Sequence, residues 1–179
     1  DLAKLDEPQF RLRCDVVDVS ELLADIGLRF APRAALKGIA LNVAAAGEAD
    51  DQALFAALDV ELFERAVANL IDNALKFCVA GAWVELEVLR VDDRIEVRVS
   101  DTGPGIATAD QPHLFDRFYQ SRATVAPATG EGGKGLGLAI VKRITELHGG
   151  SVRLASTPGR GTTVILSLPP AQAHSIDMV

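Results

Sequence analysis

Apolar side chains recur every three or four positions between residues 59 and 77, which is the clearest helical pattern in the chain. This periodicity places one continuous apolar stripe on one face of an α-helix. Asp59 is suited to cap its N-terminus, because a carboxylate accepts from the free backbone N–H groups of a first turn. The stripe has intervals of four, three, four and three and consists of Phe63, Val67, Leu70, Ala74 and Phe77.

Two other stretches carry shorter helical patterns. In the first we predict that Ser20 caps the helix and that the helix ends before Pro32, because proline lacks the N–H that a helix interior needs. The second runs from about Gly135 to His148, and Gly149 provides its stop. We interpret His148 as a cap that complements the helix dipole. The two stripes are Leu22, Leu23, Ile26 and Phe30, and Leu136, Ile140, Ile144 and Leu147.

Strand patterns fill the intervals between these helices. Residues 15–19 and 39–43 predict single strands, while residues 83–91 with 94–100, and 152–168 around a TPGRG turn, predict two hairpins. Hairpins require antiparallel or mixed pairing. The order of elements therefore predicts an α/β fold in which helices are layered on one face of a sheet.

Composition narrows the class of protein. The 179 residues suit one main domain, and no apolar run is long enough to span a membrane. A net charge of −7 argues against a nucleic-acid interface, although a few donors suffice for a single nucleotide.

Cys14 and Cys78 are too few for a disulfide scaffold, which favours a reducing, cytoplasmic setting. The chain begins with aspartate, so we expect a piece of a longer protein, whose anchoring in a membrane stays open.

Asn69, Asn73 and Lys76 lie on one side of the long predicted helix, beside its apolar stripe. Amide oxygens are hard ligands suited to Mg²⁺, and the lysine supplies positive charge for phosphate oxygens. The same spacing also occurs on an ordinary solvated helix face. The pattern alone leaves both interpretations open.

The sequence DTGPGI at 101–106 directly follows a predicted strand. Its two glycines permit tight turns of the backbone and close approach of a ligand to it. Asp101 can direct its carboxylate into a cleft. A buried carboxylate there would accept from the exocyclic amine of adenine and reject guanine, which presents an acceptor at that position. A surface turn with an exposed aspartate is the alternative.

Five glycines fall within GEGGKGLG at 130–137, at the start of the last predicted helix. Such a segment can offer backbone amides and a helix N-terminus to an anion, or it is a flexible linker. It is not a dinucleotide fingerprint, because no strand precedes it and residue 155 is alanine. It is not a P-loop, because Ala128 and Gly135 replace required residues.

Other catalytic classes find no support in the sequence. His113, His148 and His174 lie in unrelated settings, so a serine or cysteine hydrolase centre is not indicated. Clusters of histidine and cysteine that would bind a metal are also absent from the sequence.

Four segments together, in this order, resemble the ATP-binding catalytic domain of bacterial sensor histidine kinases. NLIDNALKF resembles the N box of that family, DTGPGI its first glycine box, LFDRFY its F box and GGKGLGLAI its second glycine box. The closing HGGSVRLASTPGRGTTVILSLP resembles its last strands. The similarity covers most of residues 15–169.

The resemblance implies a Bergerat-type two-layer α/β sandwich, with a mixed sheet backed by helices and ATP held beneath a mobile lid at residues 120–134. It makes Asn73 the ligand of Mg²⁺ and Asp101 the partner of the adenine amine. Asn69 and Lys76 serve the metal and phosphate end, and with Arg117 they are the implied catalytic residues. Other implied nucleotide contacts are Gly103, Gly105, Ile106, Phe118, Arg122, Gly133, Lys134, Gly135, Leu136, Gly137 and Leu138, and Arg117 and Arg122 are the implied γ-phosphate contacts.

The same resemblance bears on the reaction. Hydrolytic members of the superfamily have a glutamate four residues before the metal-binding asparagine, where this chain has Asn69. A carboxamide is a poor general base, so transfer of the γ-phosphoryl group to a protein histidine is preferred over hydrolysis. An anti-sigma-type serine kinase and a nucleotide-binding regulatory module without transfer activity are the alternatives.

The resemblance also divides the chain and implies its partners. Residues 1–14 would be the end of a preceding dimerisation helix and its linker, residues 15–169 the ATP-binding domain, and residues 170–179 a flexible tail. No histidine here has the setting of the phosphorylated one, so the acceptor would lie on a separate dimerisation domain of the same parent, with a response regulator downstream. We expect this chain to be monomeric and its parent homodimeric.

Overall fold

The structure, a computed structural model, describes residues 2–44, 54–119 and 137–171. Within these ranges the chain forms helices and strands that alternate as the periodicity predicts. A 3₁₀ turn spans Gln111–His113. The elements are α1 (Leu2–Leu5), β1 (Asp15–Asp18), α2 (Val19–Leu36), β2 (Ala40–Val43), β3 (Phe55–Leu58), α3 (Val60–Phe77), β4 (Trp83–Val91), β5 (Arg94–Asp101), α4 (Gly137–Leu147), β6 (Ser151–Thr157) and β7 (Gly161–Leu168).

Five strands form a mixed sheet in the order β2-β4-β5-β7-β6. β2 and β4 run parallel, whereas the other neighbours are antiparallel. Alternate residues of β5, from Ile95 to Val99, are buried against the helices, and the residues between them face the other side of the sheet. The predicted α/β architecture of a sheet backed by helices is therefore confirmed.

The long helix is confirmed as α3, and Asp59 caps it as predicted. The Oδ1 of Asp59 accepts from the backbone N–H of Leu62 at 3.3 Å. The stripe of α3 lies in the core, where Phe63 and Ile71 are almost completely buried. Among the described helices, none combines the length and apolar character needed to cross a membrane.

Both predicted ends of α2 are wrong. Asp18 is its N-cap, because the Asp18 carboxylate accepts from the N–H groups of Ser20 and Glu21. The helix also continues past Pro32 to Leu36. Pro32 is exposed, so water can satisfy the Leu28 carbonyl that a proline leaves without its partner. An ion pair of 2.7 Å from Arg33 to Asp72 holds the last turns of α2 against α3.

The strand β3 was not expected from the sequence. It pairs antiparallel with β1 in a separate two-stranded sheet, from Asp15 opposite Leu58 to Asp18 opposite Phe55. Its backbone N–H and C=O groups are satisfied by a segment forty residues away, so its stability depends on non-local pairing.

The interpretation of His148 as a cap is confirmed in part, because its ring contacts the Ile144 carbonyl in the last turn of α4, but the same ring also contacts the residue before α3. His148 is buried, its Nε2 accepts from the backbone N–H of Asp59 at 3.0 Å, and its Nδ1 lies 2.7 Å from the carbonyl of Ile144. These two contacts make Nε2 an acceptor and Nδ1 a donor.

The segment before β1 contributes to the core. Leu2 and Leu5 are buried in the same apolar cluster as α3 and α4. Its origin as the end of a dimerisation helix stays a prediction. At the other end, the N–H of Ala171 donates to the carbonyl of Phe55, and residues 172–179 lie outside the described part of the chain.

Candidate functional site

The exposed side of α3 carries the two asparagines and the lysine that the sequence singled out. Asn69, Asn73 and Lys76 are all half-buried, in contrast to the buried stripe on the other side of the helix. Asn69 donates through Nδ2 to the carbonyl of Gly137, at 3.5 Å. This contact joins the N box to the first turn of α4, two segments that are 68 residues apart.

Lys76 lies near the end of α3, with its Nζ 5.4 Å from the centroid of the Phe77 ring. An ammonium over an aromatic face is attracted by the electrons of the ring. One backbone carbonyl at this end of the helix, that of Leu75, accepts a hydrogen bond from the Nζ of Lys37 at 3.1 Å. Lys37, rather than Lys76, therefore makes the side-chain contact with this carbonyl.

The donor set on α3 suits magnesium better than a transition metal. The amide oxygen of Asn73 is a hard ligand, and Mg²⁺ is commonly held by one or two protein groups together with substrate phosphates. Within the described ranges, no group of three or more His, Cys, Asp and Glu residues could hold a metal ion by itself. Asn73 and phosphate oxygens together fit a magnesium site.

Asp101 ends β5, is half-buried and lies beside Cys78, which follows α3, whereas Asn69 lies in the middle of that helix. Its Oδ1 accepts from the backbone N–H of Gly103 at 2.8 Å. Its carboxylate also accepts from the backbone N–H of Thr162 and from the thiol of Cys78. Burial raises the pKa of Asp101 above its ordinary value, and these hydrogen bonds oppose the rise.

The turn after Asp101 is packed against the hairpin of β6 and β7. Gly105 has a φ of 72°, and a Cβ there would overlap the carbonyl of Thr157. The carbonyl of Pro104 accepts from the N–H of Gly159 at 2.7 Å. The N–H of Ile106 donates to the Ser156 hydroxyl at 2.9 Å. Because these contacts fix the turn, Asp101 is not part of a free surface loop.

The F box lies between this turn and the residues before α4. Arg117 is exposed, and its guanidinium pairs with the carboxylate of Asp6. Arg143 of α4 pairs with the same carboxylate at 3.0 Å. Phe118 is 71% exposed and has a φ of 63°, a left-handed conformation that is strained for a bulky side chain.

Only part of the second glycine box lies within the described residues. Gly137 begins α4, and no described atom lies within 4 Å of the place where its Cβ would stand. Leu138 is half-buried and packs against the core. The predicted lid and its neighbours fall at residues 120–136, outside the description. These undescribed site residues are Arg122, Gly133, Lys134, Gly135 and Leu136.

Sequence reasoning missed three residues around Asp101. Cys78 directly follows the N box, and this adjacency was the only signal that could have found it. Thr162 and Ser156 contribute from the last hairpin. Their proximity depends on β5 pairing with β7, where Asp101 lies opposite Thr162. No local pattern contains that information.

Comparison with known families and proteins agrees with this arrangement. The family model of histidine kinase-, DNA gyrase B- and HSP90-like ATPases matches residues 58–172. The sensor protein DivL of Caulobacter vibrioides is 35% identical over 172 residues, which cover 96% of this chain and 21% of DivL. The sensor protein kinase PmrB of Pseudomonas aeruginosa is 38% identical over 173 residues, which cover 96% of this chain and 34% of PmrB.

Solved structures show the same fold. Full-length ShkA in complex with AMPPNP superimposes with a TM-score of 0.81 at 30% identity, covering 96% of this chain and 34% of ShkA. The mycobacterial sensor histidine kinase MprB superimposes with a TM-score of 0.71 at 29% identity, covering 88% of this chain and 97% of that one. The chain thus spans about a fifth to a third of the length of the two curated relatives.

Proposed function

Because the chain belongs to the family of histidine kinase-, DNA gyrase B- and HSP90-like ATPases, we propose that it is the catalytic domain of a sensor kinase. It binds Mg²⁺ with ATP and transfers the γ-phosphoryl group to a histidine on a separate dimerisation domain. The observation that carries this proposal is the arrangement of α3, whose middle contacts Gly137 through Asn69 and whose C-terminal end contacts Asp101 through Cys78. The complex of ShkA with AMPPNP, an analogue of ATP, supports nucleotide binding in this fold.

Asp101 selects adenine in this proposal. Its carboxylate is half-buried and held by the backbone of Gly103 and Thr162, so its direction is fixed before a ligand arrives. The exocyclic amine of adenine donates to it, whereas guanine would present a carbonyl oxygen and leave two acceptors facing each other. Gly105 and Ile106 belong to the same wall through their contacts with β6 and the turn that follows it.

We place the phosphates near Asn69, which lies in the middle of α3. Asn69 and Phe77 are eight residues apart, which separates Asn69 from the Asp101 end of α3 by about 12 Å along the helix. Asn69 contacts the first residue of α4, and Asn73 lies one turn further along. Mg²⁺ held by Asn73 and phosphate oxygens would neutralise charge on the transferring group.

Transfer to a histidine is favoured over hydrolysis because of residue 69. Its amide donates to the carbonyl of Gly137, and an amide cannot remove a proton from water at neutral pH. In the transfer, the bond between the γ-phosphorus and the bridging oxygen breaks and a bond to an imidazole nitrogen forms. ADP leaves, and the imidazole proton passes to solvent. The chain's own residues contribute positioning, which dominates catalysis of phosphoryl transfer.

We also propose the protein partners of this chain and its location in the cell. Both curated relatives are named sensor proteins, and each is much longer than this chain. We place the acceptor histidine on the dimerisation domain of the same parent, which would be a homodimer, with a response regulator as the next acceptor. The domain would work in the cytoplasm, where ATP is available. A net charge of −7 is consistent with a domain that does not bind nucleic acid.

Radiolabelled ATP tests the transfer. This chain is mixed with the histidine-bearing dimerisation domain of its parent, and the products are treated with acid and with base. Label on the dimerisation domain that is lost in acid and retained in base is expected, because phosphohistidine is acid-labile. Asn73→Ala should abolish the labelling while the fold is retained. Acid-stable label, or rapid hydrolysis of ATP by this chain alone, would overturn the proposal.

A further inference from the structure

The thiol of Cys78 lies beside the carboxylate of Asp101. Cys78 follows the last residue of α3 and donates a hydrogen bond to Asp101. Both side chains also border Gly103, since a Cβ on that glycine would stand 2.9 Å from the Oδ1 of Asp101 and 3.0 Å from the Sγ of Cys78. The Oδ1 of Asp101 and the Sγ of Cys78 are therefore both adjacent to the position that a side chain on Gly103 would occupy.

We propose that Cys78 is a positioning residue for adenine recognition, in that its thiol holds the Asp101 carboxylate in the direction that accepts the exocyclic amine. This inference rests on the proposed function, because it assigns Asp101 to the adenine amine. Cys78 itself does not contact the nucleotide in this account. It acts through Asp101, and its effect should be confined to ligands that carry the amine.

The protonation state of the thiol suits this role. Burial raises the pKa of Cys78 to about 11, and the negative charge of Asp101 adds to the rise. The thiol therefore remains protonated at neutral pH, where it can donate but is a poor nucleophile. Gly103 and Thr162 supply two further hydrogen bonds from the backbone, so the carboxylate has three donors.

Three properties separate this role from simple packing. A hydroxyl can replace the thiol as a donor, so Cys78→Ser should retain the function that Cys78→Ala loses. The loss should affect ADP, which has the amine, and not inosine diphosphate, which has a carbonyl oxygen at the same position. Cys14→Ala is the matched control, because Cys14 is exposed and precedes β1.

The experiment measures the affinities of ADP and inosine diphosphate for the whole chain and its variants by calorimetry. Cys78→Ala should weaken ADP binding about three- to tenfold, the range for one lost hydrogen bond, and leave inosine diphosphate binding unchanged. Cys78→Ser and Cys14→Ala should remain within about twofold of the parent chain for both ligands. Gly103→Ala, which would push Asp101 and Cys78 apart, should reproduce the selective loss even if Cys78→Ala fails to fold.

The outcomes are distinguishable. Equal losses for both ligands, unchanged ADP binding in Cys78→Ala, or failure of Cys78→Ser to retain affinity would each overturn the positioning role and leave the nucleotide site standing. If the parent chain binds neither ligand, or binds both equally, the assignment of Asp101 to adenine is itself wrong, and the role of Cys78 is rejected with it.

Discussion

His148 and Asp59 connect the end of one helix to the beginning of another. The Nε2 of His148, just after α4, accepts from the backbone N–H of Asp59, and the carboxylate of Asp59 caps α3. The backbone N–H of Arg13 donates to that same carboxylate at 3.1 Å. The helix that carries the proposed site therefore begins at a junction of three segments.

Replacing His148 should lower the stability of the fold and should not act on the phosphoryl transfer itself. In His148→Ala the partly buried N–H of Asp59 loses its partner, and the carbonyl of Ile144 keeps only its backbone partner. We expect a loss of about 1–3 kcal/mol in the free energy of unfolding, the sum of two hydrogen bonds. Urea denaturation measures it, and His113→Ala, at an exposed site, is the control. Equal stabilities of the two variants would show that the junction contributes nothing.

Gly105 and Gly159 form a matched pair for a second prediction. Both have positive φ, 72° and 81°, but a Cβ on Gly105 would overlap the carbonyl of Thr157, whereas one on Gly159 meets no described atom within 4 Å. Gly159→Ala should therefore cost only backbone strain. Gly105→Ala should cost at least about 1 kcal/mol more and displace the turn that follows Asp101. Thermal unfolding of the two variants makes the comparison, and equal costs would contradict the packing described for this turn.

Glu96 forms an ionic cluster on the face of the sheet opposite the helices. It is 4% exposed and accepts from Arg98 and from Arg153, each at 2.7 Å. Burial would favour its neutral form, but the two arginines outweigh that effect and hold its pKa below the ordinary value. The stabilisation is therefore present at neutral pH and is lost as the pH falls through this lowered pKa.

Glu96→Gln tests this cluster. It should lower the free energy of unfolding at pH 7 by about 1–3 kcal/mol, because charge-assisted hydrogen bonds become neutral ones. The difference from the parent chain should shrink as the solution is acidified. Asp25→Asn, at an exposed position on α2, is the control. A difference that stays constant with pH would show that the charge of Glu96 is not responsible.

Sequence periodicity predicted the elements that have a continuous apolar face of their own. α3 is the clearest case, because its stripe and its cap at Asp59 are both local. β3 was missed because a four-residue strand is stabilised by pairing with β1, which no local pattern records. α2 was ended too early at Pro32, where solvent exposure on one side of the helix makes the proline tolerable.

In the candidate site too, some contacts could be predicted from local motifs, and others depend on non-local packing. Asn69 and Gly137 were placed together from their motifs, and the structure joins them. The surroundings of Asp101 were not predictable, because Cys78 reaches it across the fold and Thr162 reaches it through the register of β5 and β7. The second contact of His148 was missed for a related reason, since Asp59 lies 89 residues away.

A calorimetric titration of ADP into the parent chain and into Asp101→Asn tests the central claim, adenine recognition by this carboxylate, most directly. Because burial raises the pKa of Asp101, the ionised carboxylate lowers the stability of the folded protein at neutral pH. Asparagine keeps an acceptor for the N–H of Gly103, and thermal unfolding checks that the variant remains folded. We predict ADP binding at least about tenfold weaker, from the loss of a charge-assisted hydrogen bond. Unchanged ADP affinity in a folded Asp101→Asn protein would contradict the account.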